Sequence, residues 1–187
     1  MIALVLIVPI AAAVIWGVVT NSRLASLQDA CDSAERQVAE RLRHRFDLIL
    51  NLVETVRDCA SHEAGTLRPV IVARSAGTAA LSIGDTADAV KADDGMTRGL
   101  GVALNAIAES CPSLKADGDF LSLQAELTAA ESDVAFARQA FEDAITAYDH
   151  MVETFPSSAI ARLLGFETRP SLMDEDDVIR SVSKVEF

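Results

Sequence analysis

Little in this sequence can break a helix: five prolines and nine glycines are spread over 187 residues, half of which are apolar. A packed helical core is therefore possible and global disorder is excluded. No stretch shows the apolar–polar alternation of a strand. Cysteine is equally sparse, with Cys31, Cys59 and Cys111 and no Cys-x-x-Cys pair. An odd, unpaired set fits neither a disulfide framework nor a zinc site, so the three read as small core residues in a reducing compartment. None of His44, His62 and His150 has a glutamate three residues before it, which excludes the usual carboxylate-bridged metal bundle. There is no phosphate-binding loop, no Gly-x-Gly-x-x-Gly, and no recognisable catalytic arrangement of histidine with a serine or cysteine nucleophile. His62-Glu63 reads as a hydrogen-bonding pair at a helix junction. No enzyme activity, metal or cofactor is expected. Basic residues are outnumbered 16 to 28, for a net charge of -12, and such an acidic body repels nucleic acid and anionic lipid alike.

What is present is helical spacing. Residues 1–20, MIALVLIVPIAAAVIWGVVT, carry no charge and match the ~20 apolar residues that a membrane-spanning helix needs. Pro9 is tolerable in such a helix, and Trp16 stands where an interfacial aromatic would anchor it. A cleaved signal peptide is the competing reading. It usually has a basic leader and a small-x-small cleavage site, and here no Lys or Arg precedes the run, so an uncleaved anchor is favoured. Arg23, Arg36, Arg41, Arg43 and Arg45 follow the span, which by the positive-inside tendency places the body on the cytoplasmic side of the cell membrane.

From Asn21 to about His62 no proline or glycine occurs. Leu24, Leu27, Cys31, Ala34, Val38, Leu42, Phe46, Ile49, Val53, Val56 and Ala60 recur at steps of three and four, predicting one helix of about 60 Å. The stripe shifts phase between Val38 and Phe46. Below that point the helix joins a bundle; above it, Leu24 to Ala34 reads as a stalk or a subunit contact. A second helix is expected from Glu63 or Thr66 to about Ala80, with Pro69 in its first turn and Gly77 weakening its end. Residues 82–95 read as a loop or a short turn of helix, and Met96 to Ser110 as a third helix. Asp117 or Asp119 caps the last long helix. In it Phe120, Leu123, Leu127, Ala130, Val134, Ala137, Phe141, Ile145, Tyr148, Val152 and Phe155 hold near-heptad spacing. Pro156 stops it, Ser157 or Ser158 caps a short helix from Ala159 to Leu164, and Gly165 closes that. The expected fold is all-α: an N-terminal transmembrane helix (residues 1–20), an elongated antiparallel four-helix bundle (21–166) and an acidic, solvated C-terminal tail (167–187).

Two blocks carry a family resemblance. Arg43-His44-Arg45-Phe46-Asp47-Leu48-Ile49-Leu50-Asn51-Leu52-Val53-Glu54-Thr55-Val56 is followed by His62-Glu63 and Ala73-Arg74. Further on come Ser113-Leu114-Lys115-Ala116, Phe120, Leu123-Gln124, Glu126-Leu127, Ala137-Arg138, Phe155-Pro156 and Gly165-Phe166. In order and spacing these are similar to the signatures of the LemA family of bacterial membrane-anchored helical proteins. Leu50 departs from a frequent proline, and Asp143 and Asp149 from usual asparagines. The resemblance implies a cytoplasmic four-helix bundle on one transmembrane helix, without a defined biochemical activity.

Asp47, Asn51, Glu54 and Asp58 fall on one stripe opposite the apolar face, either a solvated helix back or a recognition surface for a partner helix. Arg138 lies at the margin of the apolar stripe of the last helix, where it would bury its stem and pair locally with Glu131 or Glu142. Phe136, on the opposite side, is a candidate subunit contact. The expected function is a non-catalytic, membrane-anchored scaffold or adaptor that presents its bundle, through Asp47, Asn51, Glu54, Phe136 and Arg138, to protein partners and to copies of itself. The alternative is a self-assembling protein that organises or remodels the membrane.

Overall fold

The computed structural model describes residues 2–57, 64–111, 113–114 and 117–172, with the side chains of residues 1–13, 64 and 110 outside that description. Five helices pack antiparallel: α1 (Ile2–Thr55), α2 (Ala64–Ile83), α3 (Thr86–Ser110), α4 (Gly118–Glu153) and α5 (Ser157–Leu164). The chain divides into two units, one of Glu35–Arg138 and one of Met1–Ala34 with Gln139–Phe187.

Unit Glu35–Arg138 holds four helical segments whose apolar faces meet. Val38, Leu42, Phe46, Ile49 and Leu52 of α1 are buried, with Leu67 and Val70 of α2, Met96, Leu100 and Ile107 of α3, and Phe120, Leu127 and Val134 of α4. The expected spacings are thus largely observed, although Val53 is only half-buried. Leu48, absent from the expected stripe, is buried and widens the apolar face where the phase changes.

The expected loop at residues 82–95 is corrected to a two-residue turn. Gly84, at φ +80°, ends α2: its N–H reaches Leu81 O at 3.4 Å and the Asp85 N–H reaches Ala80 O at 2.9 Å. This pair of bonds satisfies carbonyls that a helix end leaves open, and the left-handed conformation suits glycine. Asp85 then caps α3 by accepting the Asp88 N–H at 2.9 Å. The segment has few large apolar residues, and it is held inward by Ala89, Val90 and the buried carboxylate Asp93.

Other details of the helices refine the expectation. Helix α2 begins at Ala64, so Pro69 lies in its second turn rather than its first. Helix α2 continues through Gly77 to Ile83, and Gly77 is where the Phe46 ring packs: a Cβ there would come within 2.7 Å of Phe46 Cε2. Helix α5 begins at Ser157 with no side-chain cap, and the Ser157 hydroxyl donates instead to Thr154 O at 2.8 Å. Asp117, of the two candidates, caps α4, accepting the N–H groups of Asp119 and Phe120 at 2.9 and 3.3 Å.

In the second unit the residues expected to form a stalk are covered. Leu24, Cys31 and Ala34 are buried, as are Phe141, Ile145, Tyr148 and Val152 of α4. Residues 167–172 are not the free start of a tail. The Arg169 N–H donates to Asp149 Oδ1 at 3.1 Å, the Leu172 N–H donates to Glu142 Oε1 at 2.9 Å, and the Arg169 guanidinium pairs with Asp32. Those acidic side chains of α4 and α1 bind the strap that follows α5. The acidic cluster Asp174 to Asp177 lies outside the described residues.

The cysteines divide. Cys31 is a free thiol, buried, with its pKa pushed above 9.0 chiefly by burial. Cys111 is disulfide-bonded, so the expectation of a reduced, buried cysteine holds for Cys31 and is corrected at Cys111. Cys59 lies outside the described residues.

Candidate functional site

The strongest concentration of charge is inside the unit Glu35–Arg138. Arg45 sits one position before Phe46 in the apolar stripe of α1, and its side chain is only 2% exposed. Its Nη1 donates to both oxygens of Asp93, each at 2.7 Å, and its Nη2 donates to Thr97 Oγ1 at 2.9 Å. Nη2 also stands 3.3 Å from Glu131 Oε2 on α4. Arg138 enters from α4: its Nη2 donates to Asp93 Oδ2 at 3.1 Å and to Val90 O at 3.3 Å, and its Nη1 to Asp94 Oδ1 at 2.8 Å. Two guanidiniums and three carboxylates thus join α1, α3 and α4.

Burial pushes the Asp93 carboxyl above its ordinary value of 3.8, against the pull of Arg45 and Arg138. Both Asp93 oxygens are occupied by guanidinium donors, so the cluster offers no free base. Among the described residues, the Nε atoms of Arg45 and Arg138 are buried without a hydrogen-bond partner. The arrangement serves register: three helices are fixed in rotation and height by one set of directional bonds.

Of the residues singled out in the sequence, Arg138 is therefore turned inward. It binds residues 44 and 45 positions away, not its own helix, because α3 continues through the span expected to be a loop and presents Asp93 and Asp94. Glu131, its expected local partner, pairs with Arg45. Asp47, Asn51 and Glu54 are all exposed along α1, and Asp58 lies outside the described residues. Asp47 borders a shallow cleft of about 390 Å³ with Arg43, Phe46, Thr78, Leu81 and Ser82. Phe136 is 79% exposed. His44 and His150 are exposed, and His62-Glu63 lies outside the described residues.

Neither the Arg45–Asp93 pair nor the separate Arg74 contact is evident from pattern along one helix. Arg45 could have been found, since it falls three residues after Leu42 and four before Ile49, inside the stripe. Arg74, half-buried on α2, donates from Nε to the Phe46 carbonyl at 2.8 Å and clasps α2 to α1. Its partner is a backbone atom, which leaves no trace in side-chain pattern.

No described group of His, Cys, Asp and Glu could hold a metal ion. What the fold and the ionic centre define is a helical-bundle protein whose most prominent polar cluster is consumed in its own packing. Residues 34–187 match the model of the LemA family, and the chain belongs to that family, which has no known catalytic role. Comparison with curated proteins finds no match.

Proposed function

We propose that this protein is a membrane-anchored scaffold, held by its first helix and presenting the outer faces of its helical bundle to other proteins. The observation that carries the reading is the surface of α1 at the end of the apolar segment. Val14, Ile15, Val18 and Val19 are 60%, 65%, 64% and 46% exposed, and Trp16 is 41% exposed. They continue an uncharged sequence from residue 1 in a helix that runs unbroken from Ile2. Five large apolar side chains outward within six residues suit a lipid surrounding far better than water. Among the described residues no helix is long and apolar enough to cross a membrane; the proposed span includes residues 1–13, whose side chains lie outside that set.

Two opposed features bear on the side of the membrane. Arg23, the nearest basic residue after the span, favours the cytoplasm. The disulfide at Cys111 favours an oxidising compartment, because cytosolic thiol systems keep such bonds reduced. One nearby arginine is a weak bias, so we assign the bundle to the outer face, reversing the expectation from charge alone. In native membranes denatured without reductant, peptide mapping should find Cys31 alkylated and Cys111 protected until reductant is added. Alkylation of Cys111 before reduction would return the bundle to the cytoplasmic side.

Partner binding is assigned to the exposed stripe Asp47, Asn51 and Glu54, with Asp47 beside the cleft against α2. Asp47→Lys combined with Glu54→Lys is expected to lose the partners captured by crosslinking in membranes while shifting the melting temperature by no more than a surface change does, about 0.5 kcal/mol in stability. Parallel loss of folding would contradict a recognition role. Self-assembly into a membrane-organising array is the second reading, and the isolated exposure of Phe136 is what favours it.

A further inference from the structure

Helix α5 has one apolar side, made by Ile160, Leu163 and Leu164, with Ser158 and Arg162 opposite. Ala161 is fully buried and Ile160 half-buried, while Leu163 and Leu164 are 79% and 51% exposed and Phe155, just before the helix, is 80% exposed. At 100° per residue Leu163 points nearly opposite to Ala161. The apolar side of an amphipathic helix is normally covered, yet here only Ile160 is partly covered while Leu163 and Leu164 are exposed. Three large exposed side chains within ten residues exceed the scattered single exposure that is ordinary on protein surfaces.

Its position along α1 says what covers the open side. The Ile160 Cδ1 atom lies 3.8 Å from where a Cβ on Gly17 would stand, an ordinary van der Waals distance, so α5 packs beside α1 at residue 17. Gly17 lies between Trp16 and Val18, inside the outward apolar band of the proposed anchor. The exposed face of α5 is therefore continuous with the surface that the anchor offers to lipid. Charge agrees. In a chain with 28 acidic residues, the run from Thr154 to Phe166 contains none, and its single charge is the exposed Arg162. A long cationic side chain beside apolar neighbours suits the headgroup layer, where its stem lies among acyl chains and its guanidinium reaches phosphate.

We propose that α5 is a second membrane contact, lying in the interfacial layer beside the exit of the anchor, with Phe155, Leu163 and Leu164 inserted and Arg162 at the headgroups. This rests on the anchor reading and adds to it: the body is held at two points, which restricts its swivel about a single helix. The bilayer interface is the occupant, and a second copy of the chain or another protein is the competing one.

The test uses the full-length chain in vesicles of phosphatidylcholine and phosphatidylglycerol containing lipids brominated at defined depths. Trp16, the sole tryptophan, reports the anchor. An environment-sensitive fluorophore on Leu163→Cys, in a Cys31→Ala background, reports α5. Quenching of both, with the α5 probe quenched best by shallow bromines, is the expected result. Quenching of Trp16 alone overturns the proposal and leaves the anchor standing, and a blue-shifted but unquenched α5 probe then identifies protein as the occupant. Quenching of the α5 probe alone upholds the surface contact and removes the anchor; quenching of neither overturns both. Phe155→Ser with Leu163→Ser and Leu164→Ser, helical content unchanged by circular dichroism, should abolish the shielding of Arg162 from a soluble trypsin-class protease that vesicles otherwise give. Retained shielding in that variant would equally overturn the proposal.

Discussion

Replacing Arg45 by Met is expected to lower unfolding free energy by about 3–5 kcal/mol at pH 7, measured by urea denaturation. Arg45 supplies both of the shortest bonds to Asp93, and Met fills much of its volume without answering that charge. The pH dependence separates this from a packing loss. Burial already holds Asp93 above its ordinary value, and Arg45 is the larger of the two cations pulling it down. Without Arg45 the folded-state pKa rises further, while that of the unfolded chain stays near 3.8. A folded state with the higher pKa binds the proton first as pH falls, so this group's own contribution to stability grows through that window. The deficit of Arg45→Met relative to the native chain should therefore be greatest at neutral pH and shrink on acidification. A constant deficit would show that lost packing, not the stranded carboxylate, is responsible. Arg45→Met with Asp93→Leu should recover much of the loss, since removing both buried partners costs less than removing one.

The second large effect is expected at the crossing of α1 and α2. Phe46 is 1% exposed and lies against the bare backbone of Gly77. Phe46→Ala should cost about 3–5 kcal/mol through the lost burial and the cavity that remains. Gly77→Ala should gain about 1 kcal/mol of helix propensity yet be destabilising overall, because overpacking costs typically about 1–3 kcal/mol. The two effects share one contact and cannot be additive. In a Phe46→Leu background Gly77→Ala should become neutral or stabilising, as read by thermal denaturation. Equal destabilisation in both backgrounds would mean that the Phe46 ring is not what Gly77 makes room for.

These two places also mark how far the sequence is legible. Buried positions of α1 and α4 follow from three- and four-residue spacing, and Asp117 announces the start of α4 by its own chemistry. The first turns of α3 do not: Thr86 to Gly95 is read as loop when large apolar residues are taken as the signal. Here small residues and one buried carboxylate face inward, and the compensating charge comes from Arg45 and Arg138, distant in sequence. Arg138 stands out at the margin of its stripe, but its partners lie on another helix, and a pattern shows neighbours along one helix and not across two. Gly77 reads as a propensity defect until the ring that occupies its missing side chain is known. The disulfide at Cys111 is likewise a property of the folded chain. The exposed stripe Asp47, Asn51 and Glu54 could be drawn from the helical wheel, and its exposure follows directly.

The tethered bundle is tested most directly by alkaline carbonate extraction of membranes from cells making the full-length chain, with its N-terminus determined in the same sample. The chain is expected to stay in the pellet and to retain residues 1–20. A mature chain that starts beyond residue 20 and appears in the soluble fraction would contradict the account.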